Sequence, residues 1–143
     1  MVGGFIYDII IILGTWGQLM LILDNDIPVR LPVKWYYDNI SNEIIIEYEK
    51  EFSNLELILS KLLKSPRYLK RRLDLMNSRL WLLMDGNNNF KDIIKIMESD
   101  FKEQILPSKQ RIQASILIFM DLRLSTVVKN AESISWNVEQ YKD

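Results

Sequence analysis

Two runs of two-residue alternation, separated by only four residues, constrain this chain most. In VKWYYD, Val33 to Asp38, Val33, Trp35 and Tyr37 share one face, and Lys34, Tyr36 and Asp38 share the other. In EIIIEYE, Glu43 to Glu49, Ile44, Ile46 and Tyr48 oppose Glu43, Ile45, Glu47 and Glu49. One apolar and one largely polar face is the pattern of antiparallel strands with one side on a core and one side in water. The intervening NISN, residues 39–42, has the composition of a hairpin loop. Pro28 and Pro32 bracket an extended entry, IPVRLPV, because proline fixes φ and biases its predecessor away from helix.

Beyond the hairpin the period changes. Ser53 and Glu56 form a capping box, and Leu55, Ile58, Leu59, Leu62 and Leu63 follow helical spacing, so a helix is expected over Ser53 to Leu63. Ser65-Pro66 stops it. RYLKRRL, Arg67 to Leu73, reads as a third strand, with Tyr68 and Lys70 on one side and Leu69 and Arg71 on the other. Asp74 is the expected cap of a helix from Leu75 to Met84, ended by Asp85-Gly86. Asn89 caps the next helix, Phe90 to Phe101, and Pro107-Ser108 opens a last one with Ser108 as cap. LSTVV, Leu124 to Val128, reads as a short terminal strand. The polar tail, Lys129 to Asp143, is expected to be a frayed helix or a disordered end. The order implies an α+β domain of winged-helix type: an N-terminal three-stranded antiparallel sheet, then a three-helix bundle, with an extra helix inserted between strands 2 and 3. That domain spans residues 27–128, between an apolar extension, 1–26, and the polar tail, 129–143.

The 143 residues include neither cysteine nor histidine. Disulfides, thiolate nucleophiles, Cys/His metal sites and Ser-His-Asp chemistry are therefore excluded. There is no phosphate-cradling glycine loop, and paired acids such as Glu47 and Glu49 are too commonplace to carry a catalytic assignment. The expectation is a non-catalytic cytoplasmic protein with no cofactor and no metal. Phe5 to Leu23 is nearly long enough to span a bilayer, yet it contains Asp8, Gly14 and Gly17 and is followed by Asp24 and Asp26. Three readings stay open: a segment covering an apolar face of the domain, a membrane-associated segment, or an extension preceding a working start near Met20.

Leu80 to Phe101, LWLLMDGNNNFKDIIKIMESDF, carries a family resemblance. Trp81, the apolar Leu82 and Leu83, the Asp85-Gly86 stop, the Asn89 cap and the helix through Ile93 and Ile94 to Phe101 are similar to the PqqD family. These are the small proteins of pyrroloquinoline quinone biosynthesis, within the wider class of precursor-peptide recognition domains. The resemblance covers about residues 28–128. It departs at Asn89, where Thr or Ser is usual, and in the inserted helix. It implies a peptide-binding adaptor that takes the leader segment of a ribosomal precursor as an added strand and presents it to a modifying enzyme, a radical SAM protein. Carried onto this chain, the strand is Tyr68, Leu69, Lys70, Arg71 and Arg72, and the groove wall is Ile112, Ser115, Ile116 and Phe119.

Net charge is −1, but Lys61, Lys64, Arg67, Lys70, Arg71 and Arg72 follow one another without an acid, after a segment rich in glutamate. Such a patch would steer an acidic leader; the alternative is a solvated face paired with those glutamates. A DNA-binding winged helix is the main competitor. Phe90 to Phe101 sets Lys91 and Lys95 against Asp92, Glu98 and Asp100, so nucleic acid is not favoured as a partner. A membrane-associated accessory role through residues 5–23, and homodimerisation through exposed strand edges, are left open.

Overall fold

The computed structural model describes residues 21–49 and 68–139. The expected helix over Ser53 to Leu63, the cations Lys61, Lys64 and Arg67, and nearly all of the Phe5 to Leu23 segment lie outside the described residues. Among the described residues the architecture is mixed α+β, with two antiparallel sheets and three α-helices. In chain order the elements are β1 (Ile27–Arg30), β2 (Lys34–Asp38), β3 (Glu43–Glu49), β4 (Tyr68–Arg72), α1 (Leu75–Leu83), α2 (Phe90–Phe101), α3 (Ser108–Asp121) and β5 (Ser125–Val128). No helix among the described residues is long and apolar enough to cross a membrane.

β2, β3 and β4 form a three-stranded antiparallel sheet in that order. The register sets Trp35 opposite Ile46 and Tyr37 opposite Ile44, so the apolar positions of both alternating runs fall on one face. Ile44 and Ile46 are fully buried there. β1 pairs with β5, Ile27 opposite Val128 through Arg30 opposite Ser125. The extended IPVRLPV entry is thus in part a strand. Pro28 is tolerated because alternation leaves its position owing β5 no donor: Leu31 N donates toward β5, to Leu124 O at 3.0 Å, whereas Arg30 N points the other way, to Met84 O at 3.0 Å, where Val29 bridges Asp85.

The helices start where their caps predict. The Asp74 carboxylate accepts from Asn77 N at 2.7 Å, and the Asn89 side chain accepts from Asp92 N at 2.8 Å. At the start of α2 the chain before β1 completes the cap. Phe90 N donates to Asp26 O at 2.8 Å, Lys91 N to Asp24 O at 3.0 Å, and Ile93 N to Asn89 O at 3.0 Å. Three N–H groups that a helix start leaves without intrahelical partners, those of Phe90, Lys91 and Asp92, are therefore satisfied, and Ile93 makes the first bond of the helix itself. Gly86 follows α1 with φ +89°, a backbone conformation that side chains other than glycine's rarely adopt. Ser108 corrects one expectation. It is the first residue of α3, not its cap, and its hydroxyl donates to Glu98 Oε1 at 2.7 Å, tying α3 to α2.

The core lies between the inner face of the β2–β3–β4 sheet and the three helices. Trp81 is fully buried at its centre. Its ring meets Trp35 edge-on at 6.1 Å and Phe119 at 5.4 Å, separations typical of T-shaped aromatic pairs. Leu80, Phe90, Ile93, Met97, Ile112 and Ile116 complete the interior.

The tail expectation is also corrected. Residues 129–139 fold back onto the body. Ile134 packs against Gly86, Trp136 Nε1 donates to Arg30 O at 2.7 Å, and the Arg30 guanidinium donates to Val138 O. Ahead of β1, Ile22 enters the core and Asp26 binds Lys129 at 2.7 Å. The packed body therefore reaches past residues 27–128 at both ends.

Candidate functional site

β4 forms one margin of the three-stranded sheet: among the described residues it pairs with β3 alone. Leu73 N donates to Ile44 O at 2.9 Å, so the backbone of Ile44 addresses the β4 side. Antiparallel pairing alternates residue by residue. Leu69 and Arg71 are thus bonded to β3, while the N–H and C=O groups of Tyr68, Lys70 and Arg72 point away from the sheet. A Ser78 hydroxyl fixes the end of this margin: it accepts from Ile44 N at 2.8 Å and donates to Leu73 O at 3.2 Å, locking α1 to the strand.

The charges around β4 are largely paired. On the outer face Lys70 sits 3.4 Å from Glu47, which also meets Lys34 at 3.5 Å. The Arg72 guanidinium reaches Asp38 at 2.9 Å, Ser41 at 2.9 Å and Glu43 at 3.4 Å. The hydrogen bond from Arg72 holds the Asp38 carboxyl below the ordinary carboxylate range, and the Arg72 guanidinium is correspondingly raised. The acidic and basic stretches, separate along the chain, meet across three strands, so Lys70 and Arg72 do not form a free cationic patch. Arg71 differs. It lies on the inner face opposite Ile46, is exposed, and makes no ion pair among the described residues.

The predicted groove wall divides in two. Ile112 and Ser115 line a cavity of about 280 Å³, together with Asp74, Leu80, Met97 and Arg111. Asp74 follows β4 by two residues, so this cavity lies at the C-terminal end of the strand. Ile116 and Phe119 do not line it. Ile116 is fully buried, and Phe119 packs against Trp81. They support the cavity from within the core and offer no surface to a guest. Their correction is a matter of helix rotation: α3 buries Ile112, Ala114, Ile116, Leu117 and Phe119, a set that covers much of its circumference. Apolar spacing alone could not say which of these faces outward.

Arg30 is a residue that sequence reasoning missed. It is buried, stacks 4.7 Å from the Trp35 ring centre, and donates from Nη1 to Trp81 O at 2.7 Å and to Leu82 O at 3.2 Å. These are carbonyls at the C-terminal end of α1, where a cation complements the helix dipole. Burial lowers its pKa, and the charges of Asp85 and Glu139 act in the opposite sense. The one hint in the sequence is a lone arginine inside an otherwise apolar extended run.

Among the described residues there is no cluster of three or more acidic, histidine or cysteine side chains able to hold a metal ion. What the arrangement offers is a strand margin with outward backbone donors and acceptors, an arginine beside it that makes no ion pair among the described residues, and a cavity of mixed polarity at its end. Compared with known protein families, characterised proteins and solved structures, the chain matches none.

Proposed function

We propose that this chain is a PqqD-like, winged-helix peptide-recognition adaptor without catalytic activity of its own. It takes up the leader segment of a ribosomal precursor peptide as an extra strand on β4 and presents it to a modifying enzyme, by resemblance a radical SAM protein. The observation that carries this reading is the position of β4 at the sheet margin, with alternate backbone groups directed outward. Strand addition supplies affinity through main-chain hydrogen bonds, and pockets beside the edge supply selectivity through alternate side chains. The cavity at the end of β4, with Ile112 and Leu80 in its lining and Arg111 and Ser115 among its polar groups, suits a side chain of mixed character from such a guest.

The test separates backbone pairing from fold. Lys70 has an outward N–H, so Lys70→Pro removes a donor that the β3–β4 ladder does not use. Extended peptides with acidic residues at alternate positions are selected from a displayed library against the full chain, and the best is measured by fluorescence anisotropy. Lys70→Pro is expected to weaken binding at least about tenfold, or about 1.4 kcal/mol, with little change in thermal midpoint. Unchanged affinity, or a library that yields no binder, refutes strand addition at β4.

A further inference from the structure

The sheet has a second margin. β2 pairs with β3 and, among the described residues, with no other strand. Since Ile44 addresses β4, alternation turns Glu43, Ile45 and Glu47 toward β2. Lys34, Tyr36 and Asp38 are therefore bonded inward, and the N–H and C=O groups of Trp35 and Tyr37 look out of the sheet.

We infer that β2 is a self-association surface and that its partner is a second copy of this chain, paired antiparallel about a twofold axis at Tyr36. The strand reads Lys34, Trp35, Tyr36, Tyr37, Asp38. Reversed against itself it is self-complementary. Trp35 lies opposite Tyr37 of the second copy, and both carry the outward backbone groups needed for a hydrogen-bonded pair. Tyr36 lies opposite Tyr36. Lys34, which also meets Glu47, lies opposite Asp38 of the second copy, which Arg72 also holds, so no like charges face each other across the axis on the face that carries Tyr36. Cross-strand pairs of opposite charge and of aromatic rings stabilise antiparallel sheets, and an isologous contact of this kind closes on itself. Tyr36 and Ile45 occupy one rung, so the joined sheets would carry an apolar strip across the axis: Ile45, Tyr36, then Tyr36 and Ile45 of the second copy.

The β4 margin fails the same test. Antiparallel pairing about Lys70 would set Lys70 against Lys70, Leu69 against Arg71 and Tyr68 against Arg72. Every rung then carries a cation and none an acid. Like charges directly opposite disfavour that pairing. The two margins thus differ in kind. β2 accepts its own copy, and β4 stays open at each end of the joined sheet.

The register can be read by cross-linking, because the chain contains no cysteine. Residues at a non-hydrogen-bonded antiparallel rung have Cα atoms about 4.5 Å apart, within the roughly 4.4–6.8 Å that a disulfide spans. Mild oxidation of full-length Tyr36→Cys is expected to give mostly covalent dimer, whereas Asp38→Cys and Lys70→Cys stay monomeric on a non-reducing gel. Cross-linking at position 70 in place of 36, or equal yields at 36 and 38, overturns the inference. Sedimentation velocity supplies a second measurement that needs no thiol. Tyr36→Lys, which sets like charges against each other at the axis, is expected to raise the dimer dissociation constant at least about tenfold, and Arg71→Gln on the other margin to leave it within about threefold. A starting chain that remains monomeric at about 100 µM, a concentration at which even micromolar dimers are populated, or a dimer unaffected by Tyr36→Lys, also overturns it.

Discussion

The indole N–H of Trp136 donates to the backbone carbonyl of Arg30 at 2.7 Å, joining residues 106 positions apart. The bond is reciprocated along the same segment, since the Arg30 guanidinium donates to Val138 O from Nε at 3.0 Å and from Nη2 at 2.7 Å. Arg30 thus serves two carbonyl groups at the end of α1 and one in the tail. Replacing it with methionine keeps much of the stem but leaves those carbonyls short of donors. Hydrogen bonds from a charged group contribute about 1.5–3 kcal/mol each, and they are not additive. Arg30→Met is expected to cost about 3 kcal/mol in urea denaturation, against about 1–2 kcal/mol for Trp136→Phe, which removes one neutral donor and some buried surface. Equal costs would mean that the tail, not the helix end, is what Arg30 supports.

Gly86 and Ile134 form a testable couple. A Cβ on Gly86 would fall 2.8 Å from Ile134 Cδ1, and its φ of +89° is unfavourable for alanine besides. Gly86→Ala is expected to destabilise by about 2–3 kcal/mol. In the background of Ile134→Ala the steric part disappears, and the remaining penalty should fall to about 1 kcal/mol. A double-mutant cycle by thermal or chemical unfolding measures the coupling. No coupling would show that the tail yields freely at this point.

The Asp26–Lys129 pair predicts an acid response. Burial pushes the Asp26 carboxyl up, but the hydrogen bond and charge of Lys129 and the Leu23 N–H outweigh it, so the folded-state pKa is lowered. A carboxylate whose pKa is depressed by folding stabilises the protein above its unfolded pKa, about 3.9, and loses that contribution as pH falls through the folded value. Stability measured from pH 6 down to pH 2 should therefore decline less steeply in Asp26→Asn than in the parent. At pH 7 the same variant should be about 1 kcal/mol less stable, since Lys129 is largely exposed while Asp26 is not. Parallel acid limbs would assign the decline to other carboxylates.

Pairing on the outer face of the sheet ranks the cations of β4. Lys70 is engaged with Glu47, and Arg71 has no such partner among the described residues. With an acidic extended peptide bound, Arg71→Gln is expected to speed dissociation about fivefold, whereas Lys70→Gln changes it less than twofold, as read by stopped-flow displacement. The reverse order would place the guest's acids on the outer face.

The parts of this architecture that were legible in the sequence are those fixed by near neighbours. Alternation in Val33 to Asp38 and Glu43 to Glu49 identified the buried faces because a strand's period is local, and Asp74 and Asn89 cap their helices through residues three positions on. The β1 strand and the docked tail were not legible in the same way. Ile27 finds its partner at Val128, and the polar tail is held by a buried arginine whose role appears only once α1 and β1 lie side by side. The candidate site shows the same division. The strand Tyr68 to Arg72 follows from its own pattern, but the groove wall came with the family resemblance, and α3, apolar around much of its circumference, gave no local sign that Ile116 and Phe119 are buried. Two cations of the basic run, Lys70 and Arg72, are paired for a topological reason: β3 brings Glu43 and Glu47 alongside the residues that follow them in the chain.

The pairing of Ile27 with Val128 has a mechanical consequence. Once Ile22 and the docked tail residues Ile134, Trp136 and Val138 have been drawn off the body, the two ends of what remains emerge side by side, at the same end of one two-stranded ribbon, beyond the Asp26–Lys129 contact. A pull applied through those ends loads the rungs one at a time, like a zipper drawn open, and never shears all of them together. The molecule should give way at low force from this corner, while the β2–β3–β4 sheet and its helices are still intact.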